Sequence, residues 1–383
     1  MNFLEFRESL KFRKYKKWKI IIRFIEYKIK DVFIDFIINF NFLKFSSKPL
    51  INIGSFHDNR YINFLLYALR NDYLFAYKKD ESTKKLFKRI GFSNFFKFTI
   101  SNDNFIRKEI IKINFQPNNT NNGEILIDTN YFKYIYEKDN NKLKDNLIMP
   151  YYMYPRIYNS FYDKIKILDK PNFGLRIFFS GSVVVDGYGS FFWEREPKKF
   201  PNRLEIINKI IKEFKNEIFL INSKQDLKSP DFLKKKIILC LHDKMIKKTS
   251  YTLNFKDNFN LLSKSCFNLS CPGVVMPLCH HLIEGIKVGS IPITNCEKLL
   301  VPNLTSNNSL NYSNLDQLVE KFHKALCMKN EEIMYMREKV IQYYNSNLSP
   351  EYFKKEFLKL FTKKEKKIIC CDDHRSVDKF IKK

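Results

Sequence analysis

Between Phe173 and Thr294 the chain switches repeatedly between two hydrophobic periods, and this switching constrains its fold more than any other stretch. The short runs "FGLRIFFSG", "EIFLIN", "KIILCLH", "CFNLS" and "SIPIT" are rich in β-branched and aromatic residues and have strand length. Among them lie "NRLEIINKIIKEF", "KDNFNLLSKS" and "LCHHLIEGIKVG", whose apolar residues recur at three and four, the spacing of one helical face. Strands alternating with helices of this length predict an α/β fold with parallel sheets covered on both faces.

A looser version of the pattern comes earlier. "KPLINIG" reads as a strand, helical spacing follows at Ile62, Leu65 and Leu66, and "YLFAY" is strand-like again, which makes a β-loop-α-β unit. "STKKLFKRIG" reads as a helix and "GEILID" as a strand, with the turn chemistry of "QPNNTNNG" between them. The aromatic, proline-bearing "LIMPYYMYPRIYNSFYDK" is taken as the end of a first domain and a crossover. A chain of 383 residues exceeds what one core usually serves, so two domains with a cleft between them are expected. The boundaries read from composition are a basic amphipathic helical arm over 1–48, a first domain over 49–168, a second over 169–345, and a C-terminal helix and charged tail over 346–383. Helix starts are expected at Ser313, with Asp316 three residues on, and at Ser349, with Pro350 in the first turn.

Net charge is +27, a field that attracts polyanions, phosphorylated ligands or an anionic membrane face. Through position 48 there are twelve Lys/Arg against five Asp/Glu, on a helix striped at Ile21, Ile25, Ile29, Phe33 and Phe36. Such an arm fits peripheral contact with anionic headgroups, and equally a helix packed on the protein's own body. The eight cysteines show no CxxC pairing and read as reduced, buried thiols rather than a zinc site. The start lacks a secretory pattern and no apolar stretch reaches membrane-spanning length, so a cytoplasmic protein, peripheral on the inner membrane face where the arm binds, is expected. Basic residues spread over the whole length with no recognised binding motif, so nucleic acid is not an expected partner.

The densest chemistry falls in "CPGVVMPLCHHLIEGIKVGSIPIT", where three of the chain's ten glycines, at 273, 285 and 289, accompany two adjacent histidines and a glutamate. In an open parallel sheet, ligands sit beyond the carboxyl ends of the strands, where helix N-termini expose N–H groups and partial positive charge. Pro272 stiffens the turn and Gly273 lets backbone approach a diphosphate or takes positive φ. His280 and His281 open the helix, and Glu284, one turn on, shares their face, where a carboxylate accepts both hydroxyls of a ribose.

The run "LLSKSCFNLSCPGVVMPLCHHLIEGIKVGSIPI" resembles the donor-site signature of GT-B glycosyltransferases, closest to the exostosin-like group. There a PG-type loop leads to a small residue, an arginine, a Trp-Glu-Ala-like triplet and a G-x-IPV strand. Glu284 stands at the family's glutamate, Cys279 at its usual Ser, His281 at its usual Arg and Gly285 at its usual Ala. "FFSGSV" and "NRLEIINKI" resemble the first strand and helix of the donor domain, and "MPYYMYP" the segment before the interdomain crossover. The resemblance covers about residues 50 to 300, and its specific part is 261 to 293. It implies two Rossmann-like domains facing each other, the second holding a nucleotide-sugar donor and the first a glycan or lipid-linked acceptor. It also implies inverting transfer, in surface polysaccharide or glycoconjugate synthesis, with no metal or other cofactor at the diphosphate.

Sugar transfer needs a stabilised leaving diphosphate and a base for the acceptor hydroxyl. Gly181, Ser182, Arg203, Pro272, Gly273, Val274, His280, His281 and Glu284 are the expected donor-side residues, with Arg195 as a further phosphate partner. The loop "GSFHDNRY" offers His57 and Asp58 as base candidates, although Asp58 serves equally as a helix cap. Ser55, Arg60 and Arg156 are the acceptor-side candidates; Arg156 serves equally as the partner of a surface acid. The rival expectation is a basic nucleic-acid- or membrane-surface-binding protein without catalysis.

Overall fold

The structure, a computed structural model, describes residues 49–52, 61–77, 99–101, 110–114, 124–183, 201–242, 251–273, 276–362, 366–372 and 376. The basic arm, the helix read at "STKKLFKRIG", and Ser55, His57, Asp58, Arg60, Arg195 and Val274 lie outside the described residues. Two compact units emerge, the described parts of the first being 49–52, 70–77, 99–101 and 110–113.

In the first unit, β1 (Leu50–Asn52), β2 (Leu74–Tyr77), β3 (Thr99–Ser101) and β4 (Ile110–Asn114) pair in the order β3-β2-β1-β4, all parallel. Ile51 and Phe75 are completely buried in this sheet.

The second unit begins with helix α1 (Tyr61–Leu69), apolar nearly all round and buried at all nine residues. It packs through Phe64 on Tyr158 and Phe353, with ring centroids 5.5 and 5.4 Å apart. Next come β5 (Ile125–Asp128), α2 (Tyr131–Tyr136), α3 (Asn140–Asp145), β6 (Leu147–Ile148) and α4 (Pro155–Ser160). A six-stranded layer follows: β7 (Ile177–Ser182), α5 (Arg203–Glu213), β8 (Ile218–Leu220), β9 (Ile237–His242), α6 (Phe255–Lys264), β10 (Phe267–Ser270), α7 (His280–Lys287), β11 (Ile291–Thr294) and β12 (Leu310–Asn311). Helices α8 (Leu315–Cys327), α9 (Asn330–Tyr343) and α10 (Pro350–Lys359) and strand β13 (Lys367–Ile369) complete it.

Two expectations need correction. The segment after "TKKEKK", read as part of a charged tail, contains β13, which pairs parallel with β5 on one side and β6 on the other. Ile368, Ile369 and Cys370 are fully buried; the flanking lysines conceal a short apolar run whose partners lie far back in the chain. The cap of α8 is Asn314, whose side chain accepts from the Gln317 N–H while the Gln317 side chain accepts from the Ser313 N–H, one residue later than the Ser313/Asp316 reading. Ser349 caps α10 as expected, accepting from the Tyr352 N–H, with Pro350 in the first turn.

The six-stranded sheet has the order β12-β11-β10-β7-β9-β8, every pair parallel. β7 is central: β8 and β9 lie to one side, and the chain then crosses to β10, β11 and β12 on the other. The loops leaving β7 and β10 therefore run to helices on different sides, which opens a crevice above their carboxyl ends, the position where such sheets bind ligands.

Candidate functional site

A cavity of about 520 Å³ occupies that crevice. Gly181 and Ser182 reach it from the end of β7, His242 from the end of β9, and Gly273 from the turn after β10. The start of α7 contributes Cys279, His280, His281 and Glu284, and Tyr151 and Tyr154 close it from the segment before α4.

Arg203, at the start of α5 and only 3% exposed, ties this rim together. Its Nε donates to the Pro272 carbonyl at 3.0 Å, its Nη1 to the Ser182 carbonyl at 3.0 Å, and its Nη2 to Cys279 Sγ at 3.2 Å. One guanidinium thus holds the end of β7, the turn after β10 and the start of α7 in register, and brings a permanent positive charge to the cavity wall. Asn202 and Glu205 place it there through a capping box, each side chain bonding the other's backbone N–H.

The three clustered glycines have three separate causes. A Cβ at Gly273 would stand 2.8 Å from the Met276 carbonyl oxygen and 3.0 Å from that of Leu278, so the turn needs close backbone approach, and it does so without positive φ. A Cβ at Gly285 would stand 2.4 Å from the side chain of Asn268, which donates to the His281 carbonyl at 3.3 Å. Gly289 has φ +78 and ends α7, its N–H bonding to Ile286 and that of Ser290 to Gly285.

Glu284 is 4% exposed, and its Oε1 accepts from the Tyr154 N–H at 3.2 Å. Burial pushes its pKa up from 4.5 to about 7, against the lowering effect of that hydrogen bond. His281 Nδ1 lies 3.7 Å from Glu284 Oε2. Burial, and then the positive charge of Arg203, hold the imidazole well below its ordinary pKa, even though 23% of the side chain stays open to the cavity. His281 is therefore neutral at physiological pH, and the two side chains form a polar contact rather than an ion pair. His280 Nδ1 donates to the Tyr152 carbonyl at 2.9 Å, and its ring stacks on Tyr151.

Of the residues expected on the donor side, Gly181, Ser182, Arg203, Gly273, His280, His281 and Glu284 line this one cavity, and Pro272 borders it through its bond to Arg203. Arg156 stands exposed on α4 and is not among the cavity-lining residues. The sequence reading missed His242, whose Nε2 lies 3.2 Å from Ser180 Oγ, although the last residue of "KIILCLH" stands at the carboxyl end of a strand, where the ligand rule already pointed. It also missed Tyr154 and Asn258. Six of the eight cysteines are buried, Cys279 is half-buried, Cys327 is exposed, and none forms a disulfide. Among the described residues no group of three His, Cys, Asp or Glu side chains could hold a metal ion, and no helix is long and apolar enough to cross a membrane.

No family model matches the chain, and no curated protein matches it. Among solved structures it is similar to a glycosyltransferase from Rickettsia africae ESF-5, at 10% identity and a TM-score of 0.43, covering 83% of this chain and 98% of that one. It is also similar to the N-terminal domain of a trehalose-6-phosphate phosphatase from Candida albicans, at 8% identity and a TM-score of 0.39, covering 84% of this chain and 97% of that one.

Proposed function

We propose that the chain is a GT-B glycosyltransferase, exostosin-like in its donor loop, that transfers a sugar from a nucleotide-activated donor to a glycan or lipid-linked acceptor with inversion. The observation that carries this reading is the placement of Glu284: a nearly buried carboxyl, held by the Tyr154 N–H, lining the same cavity as the Gly181 and Gly273 turns. The donor diphosphate sits at those turns, beside Arg203 and the start of α7, where fixed positive charge and N–H dipoles stabilise it as a leaving group. The ribose hydroxyls donate to Glu284. These protein groups neutralise the diphosphate without a metal. His57 or Asp58 takes the acceptor proton, Ser55, Arg60 and Arg156 contact the acceptor, and the basic arm rests on an anionic membrane face, consistent with surface polysaccharide or glycoconjugate synthesis.

A thermal-shift panel of UDP-, GDP-, CMP- and dTDP-sugars tests the reading, with wild type and Glu284→Ala. One donor should raise the wild-type midpoint and leave that of the variant almost unmoved. A panel that moves neither protein, or both equally, removes the proposed ribose site.

A further inference from the structure

One part of the cavity lining differs chemically from the rest, and the inference drawn from it rests on the donor reading given above. Arg203 makes its part of the wall basic, whereas Thr252, Leu253, Phe255, Asn258 and Tyr154 bring no charged side chain to the lining. Tyr154 is 40% exposed, with its ring 5.9 Å from that of Phe255. Phe255 and Asn258 are three residues apart on α6 and share one face of it. The same Tyr154 gives its N–H to Glu284, so this uncharged part of the lining adjoins the carboxyl proposed to take the ribose.

Asn258 is the polar group that this part of the lining does not satisfy by itself. It is 6% exposed, and its buried Oδ1 accepts no hydrogen bond among the described residues. A buried amide oxygen without a partner is destabilising, and a native structure keeps one where water or a ligand completes it. An uncharged stretch of wall carrying two adjacent aromatic rings, with one amide as its orienting group, suits a flat neutral heterocycle. It does not suit a second phosphate.

We infer that Asn258 reads the edge of the donor's nucleobase, with Tyr154 and Phe255 bounding the ring. A carboxamide presents one acceptor beside one donor, so it pairs with a base edge that offers one donor beside one acceptor. A carboxylate at the same position presents acceptors only and favours the two adjacent donors of guanine.

The test measures the affinities of UDP, CDP, ADP, GDP, ribose 5-phosphate and pyrophosphate for wild type, Asn258→Ala, Asn258→Ser and Asn258→Asp. The Ala and Ser variants should lose about tenfold in affinity for the tightest nucleoside diphosphate, the loss of one hydrogen bond, while ribose 5-phosphate and pyrophosphate change by less than about twofold. Asn258→Asp should move the ranking towards GDP by about fivefold or more. A ligand-side arm needs no variant: methylating the pairing nitrogen of the tightest nucleotide's base should cost wild type about tenfold. Variants that bind with an unchanged ranking, together with a tolerated base methyl, overturn the role of Asn258 and leave the donor reading standing. A wild type that binds no nucleoside diphosphate more tightly than pyrophosphate overturns both.

Discussion

Glu284 on α7 receives its hydrogen bond from the backbone of Tyr154, in the segment before α4, so the carboxyl most important to the proposed site is held by a stretch far away in sequence. Burial there raises its pKa from 4.5 to about 7. Between those values the folded protein binds more protons at this site than the unfolded chain. The stability this group contributes is complete below about pH 4.5 and is lost as pH rises through 7. Glu284→Gln removes that loss, so the variant should gain on wild type by on the order of 2 kcal/mol between pH 5 and pH 8, measured by denaturant unfolding. His281 has the opposite slope, losing stability as pH falls, but it is common to both proteins and cancels in the difference. An equal difference at both pH values would contradict the raised pKa.

The same carboxyl links donor binding to protons. Ribose hydroxyls donate to the ionised form, so binding should release a proton from Glu284 near pH 7, and affinity for the donor nucleotide should rise about threefold to tenfold from pH 6 to pH 8. Calorimetry in buffers of different ionisation enthalpy reads the proton directly. The phosphate's own titration is removed by repeating the series with Glu284→Gln, which should keep only the shallower phosphate dependence.

Arg203 joins three pieces of chain through its Nε, Nη1 and Nη2. Lysine keeps the charge but cannot reach three acceptors in one plane, so Arg203→Lys should cost about 2–4 kcal/mol in unfolding free energy and weaken pyrophosphate binding at least tenfold. A variant as stable as wild type would mean that the rim is held by other contacts.

How much of this was legible in the sequence depends on how local each cause is. The strands at 177–182, 237–242, 267–270 and 291–294 announce themselves because their apolar runs and the helical spacing between them are short-range patterns. The clustering of His280, His281 and Glu284 on one cavity wall follows from helical spacing within a single stretch. The clamp made by Arg203 does not, because its oxygen partners are backbone carbonyls that no residue type reveals. Neither does the role of Tyr154, which acts through its N–H. The protonation state of His281 is not legible for a different reason: burial beside Arg203 sets it, and the histidine letter alone carries no burial. β13 was hidden because three residues between lysines and acids have a tail's composition while their packing partners lie in another part of the chain.

Gly285 and Asn268 form a pair whose shapes depend on each other. The Asn268 side chain occupies the space that a Cβ at 285 would take, with contacts down to 2.4 Å, and its Oδ1 has no partner among the described residues. Gly285→Ala alone should therefore destabilise by about 1–3 kcal/mol through overpacking. Asn268→Ala alone leaves a gap and loses the bond to the His281 carbonyl, at a similar cost. Together the new methyl fills the gap that the asparagine vacates, so the double variant should be more stable than either single one, with a coupling energy above about 1 kcal/mol in a double-mutant cycle. Additive single effects would mean that the asparagine simply swings away.

Chain truncation separates a tail from a strand. Ending the chain at Glu365 removes β13 from between β5 and β6 and takes away Ile368, Ile369, Cys370 and Cys371, each no more than 2% exposed. Burial of an aliphatic side chain is worth about 1.5–3 kcal/mol, so losing two isoleucines and the strand pairing should exceed much of the stability of an ordinary domain. The truncated chain should lose its cooperative unfolding transition or go insoluble, whereas Lys367→Ala, which removes one charge at the edge of the same strand, should shift unfolding by less than about 0.5 kcal/mol. A truncated protein that unfolds with wild-type cooperativity and midpoint would return residues 366 to 383 to the role of a solvated tail.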